Sequence, residues 1–342
     1  MPDALQLCPH DQEPFLDVCA GHAKALESLG FRVRTVFFER RRQQRSSAHF
    51  DFVHAPAREL AGVVGPDVPE LLVSHRHAAY RAGVALAWRM RIPSHIVVAH
   101  EYGMFARATR RLRRRLAGRG HARFAAVSAP VAEDLRAHGV ESPLLLPNAI
   151  DHHALRESLH SRADARTTLG IPESVFAVGV VGRLHPKKDP LRALGAFERY
   201  RRENPGAYLV FVGDGPLRPQ LLHRAGANVV LAGFRADART LLRAFDVLLL
   251  GSTEREAFGF VLLEAMAAAV PVVLADRPGP RSVVGDCGTY FDTDDELAAA
   301  LRSLCSEPES ETIEHARQRV SARFSVDALA ERYRGVLVAS RR

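Results

Sequence analysis

Glu256 and Glu264 stand eight residues apart in 251-GSTEREAFGFVLLEAMAAAVPVVLA-275, the first in a Gly/Ser-flanked loop and the second in the predicted helix that follows. Two carboxylates so placed could form an acid/base pair or act as separate anchors for hydroxyl groups. On one helix, that spacing would part them by about 12 Å along the axis. Glycosidase carboxylates stand roughly 5–9.5 Å apart, so separate anchors are the better reading. The apolar strand 271-PVVLA-275 sets both at the edge of a parallel sheet.

Cationic partners lie upstream. The segment 182-GRLHPKKDP-190 brings Arg183 and Lys188 to the end of the predicted strand 175-VFAVGVV-181. A guanidinium and an ammonium converging there would neutralise a diphosphate. In 211-FVGDGPL-217, Gly213 and Gly215 could admit a nucleotide to the backbone or simply make a tight turn; Arg218 stands where a dinucleotide fingerprint needs its third glycine. That departure argues against an NAD(P)-dependent oxidoreductase. Phe258, Gly259, Phe260 and Val261 mark a helix start near 258, where unpaired N–H groups favour phosphate.

Alternating strand and helix patterns must carry these residues. In the first half, strands are predicted at 4–8, 31–38, 70–75, 95–100, 123–128 and 144–147, with helices at 17–30, 76–90, 105–118 and 129–138. The polar stretch 151–174 reads as a linker or rim. A second series follows, with strands at 175–181, 207–213, 228–233, 246–250, 271–275 and 288–291, and helices at 190–202, 216–225, 237–244, 258–269, 294–305 and 309–320. The pattern 322–342 reads as one further helix. The expected architecture is α/β: two doubly wound domains, 1–150 and 151–325, with a terminal helix 326–342 crossing back to the first. Ligands bind beyond the carboxyl ends of such strands, which selects the loops holding His75, His100, Asn148, Arg183, Gly213, Gly233, Phe234 and Glu256.

With 342 residues, 47% of them apolar, the chain can bury two cores. Cys8, Cys19, Cys287 and Cys305 have no short paired spacing, so neither zinc nor a disulfide framework is indicated. No signal-like start and no apolar run of about 20 residues is found, which points to the cytoplasm. A net charge of +8, concentrated at Arg40–Arg42 with Arg45 and in 107-RATRRLRRRLAGRGHAR-123, calls for an anionic partner: nucleic acid, an anionic membrane or a phosphorylated substrate. Phe105, Leu112, Leu116 and Phe124 interleave the arginines as in a basic amphipathic helix.

Taken in order, 147-PNAID-151, 182-GRLHPKK-188, 213-GDGPL-217, 233-GFRAD-237, 256-EAFGFVLLE-264 and 279-GPRSVVGDCG-288 resemble the retaining nucleotide-sugar glycosyltransferases of GT-B fold that carry an E-x7-E motif, the glycosyltransferase family 4-like or group 1 enzymes. The resemblance is strong over 145–290 and looser before it. It implies two Rossmann-like domains facing across a cleft. It also implies that Arg183 and Lys188 bind the donor diphosphate, Glu264 the ribose, and Glu256 the donor sugar. The amides of Gly259, Phe260 and Val261, with Phe258 beside them, would meet phosphate or sugar. Gly213 would border the nucleotide, and the loop Gly233, Phe234, Arg235 the base. His100 would contact the donor sugar near the reacting centre.

Further implications are metal-independent transfer without a dedicated cofactor, a UDP-sugar donor in preference to a GDP- or ADP-sugar, and a glycan or glycolipid acceptor, anionic in character, such as lipopolysaccharide core. Peripheral contact with the cytoplasmic face of the inner membrane would suit that acceptor. Three departures stand out: 11-DQEPF-15 lacks the early glycine pair, Ala269 replaces a frequent helix-end glycine, read as a packing difference, and Ser282 replaces a frequent Glu. The competing classes are a nucleotide-sugar epimerase of the same fold and a noncatalytic nucleic-acid-binding module. The second lacks interleaved stacking aromatics in its basic runs.

Overall fold

Short apolar runs separated by amphipathic helices build two all-parallel sheets. The computed structural model describes residues 1–11, 15–39, 51–55, 57–65, 67–117, 122–253, 256–306 and 310–339. Arg40–Arg42, Arg45, residues 12–14 of the DQEPF segment, residues 118–121 of the arginine run and residues 254 and 255 of the Glu256 loop lie outside that set. Two compact units result, one of residues 1–150 with 323–342, the other of residues 151–322.

The first unit holds β1 (Asp3–His10), β2 (Arg32–Glu39), β3 (Asp51–His54), β4 (Leu71–His75), β5 (Ser94–Ala99), β6 (Arg123–Ala126) and β7 (Leu144–Leu145). Their order is β3-β2-β1-β4-β5-β6-β7, so the direction of winding reverses between β1 and β4. Leu5, Leu7, Val36 and Leu72 pack under the helix Arg76–Met90 through Ala79, Leu86 and Ala87. β3 has no counterpart among the predicted strands; it continues β2 outward in parallel register, Arg34 opposite Asp51.

The second unit holds β8 (Ala177–Val181), β9 (Tyr208–Val212), β10 (Val229–Gly233), β11 (Val247–Leu250), β12 (Val272–Ala275) and β13 (Thr289–Phe291). The order β10-β9-β8-β11-β12-β13 reverses between β8 and β11. Its core joins Val178, Leu209, Phe211 and Leu249 to Leu194, Phe197 and Tyr200 of the helix Pro190–Glu203 and to Leu297 and Leu301 of the helix Asp294–Ser306. The stretch 151–174 is more than a linker. It forms helices His152–Ser158 and Arg162–Leu169, and it buries Arg166, whose guanidinium meets Asp246 and the carbonyls of Ala244, Pro172 and Val175.

Elsewhere boundaries move for local reasons. The segment predicted as a helix at 237–244 is a 3-10 turn, Ala238–Ala244. Helix 258–269 contracts to Phe260–Ala267, because Gly259 takes a left-handed φ of 83° at its N-cap. Ala269 holds a left-handed φ of 63° after its end. That conformation, rather than packing, explains why glycine is favoured there. The helices expected at 309–320 and 322–342 meet at Ser325, which bridges Ile150 and caps Ala328 with its hydroxyl, giving Ser310–Phe324 and Val326–Ala339. No helix among the described residues is long and apolar enough to cross a membrane.

Candidate functional site

In the second unit the site is built at the reversal between β8 and β11. The chain leaves β8 through Gly182 and Arg183, turns through the 3-10 segment Pro186–Lys188, and enters the helix Pro190–Glu203 capped by the Asp189 carboxylate. Thr253, just after β11, donates from its amide to the carbonyl of Lys187 at 3.0 Å. That tie brings the Glu256 loop to the lysine turn. Glu256 pairs with Lys188, and Ser252 Oγ donates to the same carboxylate oxygen at 3.2 Å. Burial alone would raise the Glu256 pKa, but Lys188, helped by Lys187 and Ser252, more than offsets it and holds the group below the usual carboxylate range.

The two glutamates pair with different cations. Glu264 lies in the helix Phe260–Ala267 and faces Arg239 at 3.3 Å. Phe258 and Phe260 are buried in the core, so only the backbone of that turn is offered to a ligand, with Val261 half-buried beside it. Gly279 packs on the Glu256 loop so closely that a Cβ would stand 2.1 Å from the Glu256 carbonyl. No local sequence signal marks a contact between segments joined this way.

Gly213 and Gly215 serve the protein's own backbone. A Cβ at Gly213 would come within 1.9 Å of the Gly182 carbonyl, and one at Gly215 within 2.4 Å of that of Leu184. The loops after β8, β9 and β10 are laced together by Gly182 N–H to Val212 O, Leu184 N–H to Asp214 O and Gly213 N–H to Gly233 O, each at 2.8–2.9 Å. Arg183 stands exposed above this lacing with no ion pair among the described residues. At the end of β10, Phe234 is 71% exposed, while Arg235 is held by Asp237 through two bonds of 2.9 and 2.8 Å.

In the first unit His100 follows β5, half-buried, with its Nε2 2.8 Å from Nδ1 of the buried His75. Phe15 meets the His100 ring edge-on at 5.2 Å. Burial, with the charge of Arg76 nearby, holds the His100 pKa well below its ordinary value. The Asn148 Oδ1 is buried without a partner among the described residues. His22 is pushed down to about 3 by burial.

Cys8, Cys19 and His75 place potential ligand atoms within 4.8 Å of one another. Their wide sequence spacing hides this grouping. Both His75 nitrogens are already engaged, by Gln6 and His100, which makes the group packed polar core and not a ready ligand set.

The arginine run forms a helix only over Ala108–Leu116, shorter than the predicted 105–118, and none of its residues is buried. Phe105 and Phe124 lie outside it, beneath Arg114 at 5.5 and 6.0 Å. Leu112 and Leu116 remain exposed.

Sheet order and loop placement define two Rossmann-like units of the GT-B class. The fold matches that of Anabaena Alr3699/HepE in complex with UDP-glucose, with TM-score 0.79 and 22% identity over 99% of this chain and 100% of that one. Within it, residues 176–307 carry a domain described as Glycosyl transferases group 1. The chain is similar to a D-inositol 3-phosphate glycosyltransferase of Saccharomonospora viridis, 32% identical over 53% of this chain and 48% of the relative. It is similar also to a GDP-mannose-dependent alpha-mannosyltransferase of Mycolicibacterium smegmatis, 29% identical over 84% of this chain and 74% of the relative. The chain thus spans about half the length of the first of these relatives.

Proposed function

We propose that the protein is a retaining glycosyltransferase that moves a sugar from a nucleotide-sugar to a hydroxyl of a glycan or glycolipid. The observation that carries this reading is the Lys188–Glu256 pair at the β8/β11 reversal of a group 1 domain, where ligands of doubly wound sheets bind. Lys188 and the exposed Arg183 supply positive charge for the diphosphate, and Glu256 receives the donor sugar hydroxyls. Glu264 takes the ribose, the backbone of Gly259–Val261 meets phosphate, and the exposed face of Phe234 covers the base.

In the reaction the bond from sugar C1 to phosphate oxygen breaks and one from C1 to the acceptor oxygen forms on the same face. The acceptor proton passes to the departing phosphate oxygen. Cationic stabilisation of that leaving group takes the part a metal plays in other transferases. UDP-sugar is the preferred donor, in keeping with HepE in complex with UDP-glucose; GDP-mannose, named for one relative, is the alternative. A thermal-shift screen of UDP-, GDP- and ADP-sugars tests the reading, since a ligand of the native state raises its melting temperature. One donor class is expected to do so, and no shift with any of them overturns the assignment.

For the acceptor, the exposed arginines and leucines of Ala108–Leu116 fit an anionic glycolipid surface such as lipopolysaccharide core at the cytoplasmic face of a membrane. Arg110, Arg111 and Arg114 are tied to backbone carbonyls, so the informative variant is Arg113→Gln/Arg115→Gln. It is expected to co-sediment less with anionic vesicles than the wild type at low salt.

A further inference from the structure

The hydrogen bonds beneath His100 dictate where its proton sits. Gln6 on β1 directs Nε2 to the Cys19 carbonyl at 3.1 Å and to Thr35 Oγ1 at 2.9 Å. A carbonyl accepts only, so the amide orientation of Gln6 is fixed. Its Oε1 therefore faces His75 Nε2, 2.7 Å away, and must receive a proton from it. Burial keeps His75 neutral, with its pKa well below the ordinary value, and a neutral imidazole protonated at Nε2 has a bare Nδ1. That nitrogen lies 2.8 Å from His100 Nε2 and must accept from it. His100 in turn carries its proton at Nε2 and leaves Nδ1 bare.

We propose that His75, locked by Gln6, is a positioning residue that fixes His100 as the Nε2–H tautomer, so that His100 presents Nδ1 as an acceptor to a donor-sugar hydroxyl. The placement supports it: β1 and β4, which carry Gln6 and His75, flank the winding reversal of the first sheet, and His100 directly follows the next strand. All bonding groups of the relay below His100 are fully or almost fully buried, so no water competes for them. One side chain setting the tautomer of another is the role a buried carboxylate plays in hydrolytic triads. The inference rests on the reading of His100 as a donor-sugar contact.

The test is 15N NMR of histidine-labelled full-length protein, with turnover measured as nucleoside diphosphate release from the donor that thermal shift selects. Wild type is expected to show His100 protonated at Nε2. His75→Leu, and Gln6→Leu as a milder second variant, are expected to give mixed tautomers and to lower kcat about tenfold, with KM nearly unchanged. Gln6→Glu keeps an acceptor for His75 and is expected to retain the wild-type tautomer. A His100 protonated at Nδ1 in the wild type, or one still purely Nε2–H in either folded leucine variant, overturns the relay whatever the activity. Mixed tautomers with unchanged kcat overturn the donor-contact reading on which its use depends.

Discussion

At the scale of the residue, the Lys188–Glu256 pair has two roles that substitution can separate. Lys188→Ala removes the cation proposed to meet the donor diphosphate and also strands a mostly buried carboxylate. It is expected to lower kcat about 10²-fold or more, as losing a preorganised charge at a leaving group does, and to lower thermal stability too. Adding Glu256→Gln to that variant relieves the stranded charge. Stability is then expected to recover while turnover does not. Wild-type turnover in Lys188→Ala would remove the lysine from the chemistry. The buried histidines set a pH response as well. His22 is held from 6.5 down to about 3 by burial, so the unfolded chain binds a proton that the folded chain refuses. Stability from this site is full above 6.5 and falls as pH drops toward 3. In urea titrations at decreasing pH, the free energy of unfolding is expected to fall more steeply in the wild type than in His22→Gln.

The elements are held by a few strained or crowded joints. Ala269 keeps a left-handed φ of 63° after the helix that carries Glu264. An L-residue there costs about 1–2 kcal/mol, offset in part by the larger unfolded-state entropy of glycine. Ala269→Gly is therefore expected to stabilise the protein by ~0.5–1 kcal/mol, read from denaturant midpoints, and a destabilised variant would refute the strain. This joint also shows where sequence reasoning stops. The sequence shows that Ala269 is not glycine, but its torsion belongs to the folded turn. The buried strands β1, β4, β11 and β12 were legible because their apolar runs are bounded by turns or charged residues. β3 was not, since 51-DFVH-54 is four residues long and follows an arginine-rich stretch. The break between the last two helices was expected, but the helical pattern alone set it near 321 rather than at Ser325, as no Gly or Pro interrupts the helical spacing there. Candidate site residues were legible where a strand end announced them, as at Arg183, His100 and Glu256. Their partners were not: Gln6 reaches His75 across 69 positions, and Lys188 reaches Glu256 across 68.

At the scale of the whole molecule, the chain ends by completing its first unit. Residues 323–342 belong to the same unit as 1–150, and Tyr333 of the last helix donates or accepts a 2.6 Å bond with His22 Nδ1 in a fully buried setting. Removing the hydroxyl leaves His22 Nδ1 without that partner, and its Nε2 has none among the described residues already. An unsatisfied buried polar group costs about 1–3 kcal/mol. Lys188, Glu256 and Glu264, the residues proposed to hold the donor, lie in the other unit, which has its own core. Two separately cored units give two unfolding transitions where their coupling is weak. Scanning calorimetry of Tyr333→Phe is then expected to lower the transition of the first unit, whereas a bound nucleoside diphosphate raises that of the second. If both perturbations move one and the same transition by the full amount, the units unfold as a single cooperative body, and the C-terminal helix stabilises the donor site as much as the sheet on which it lies.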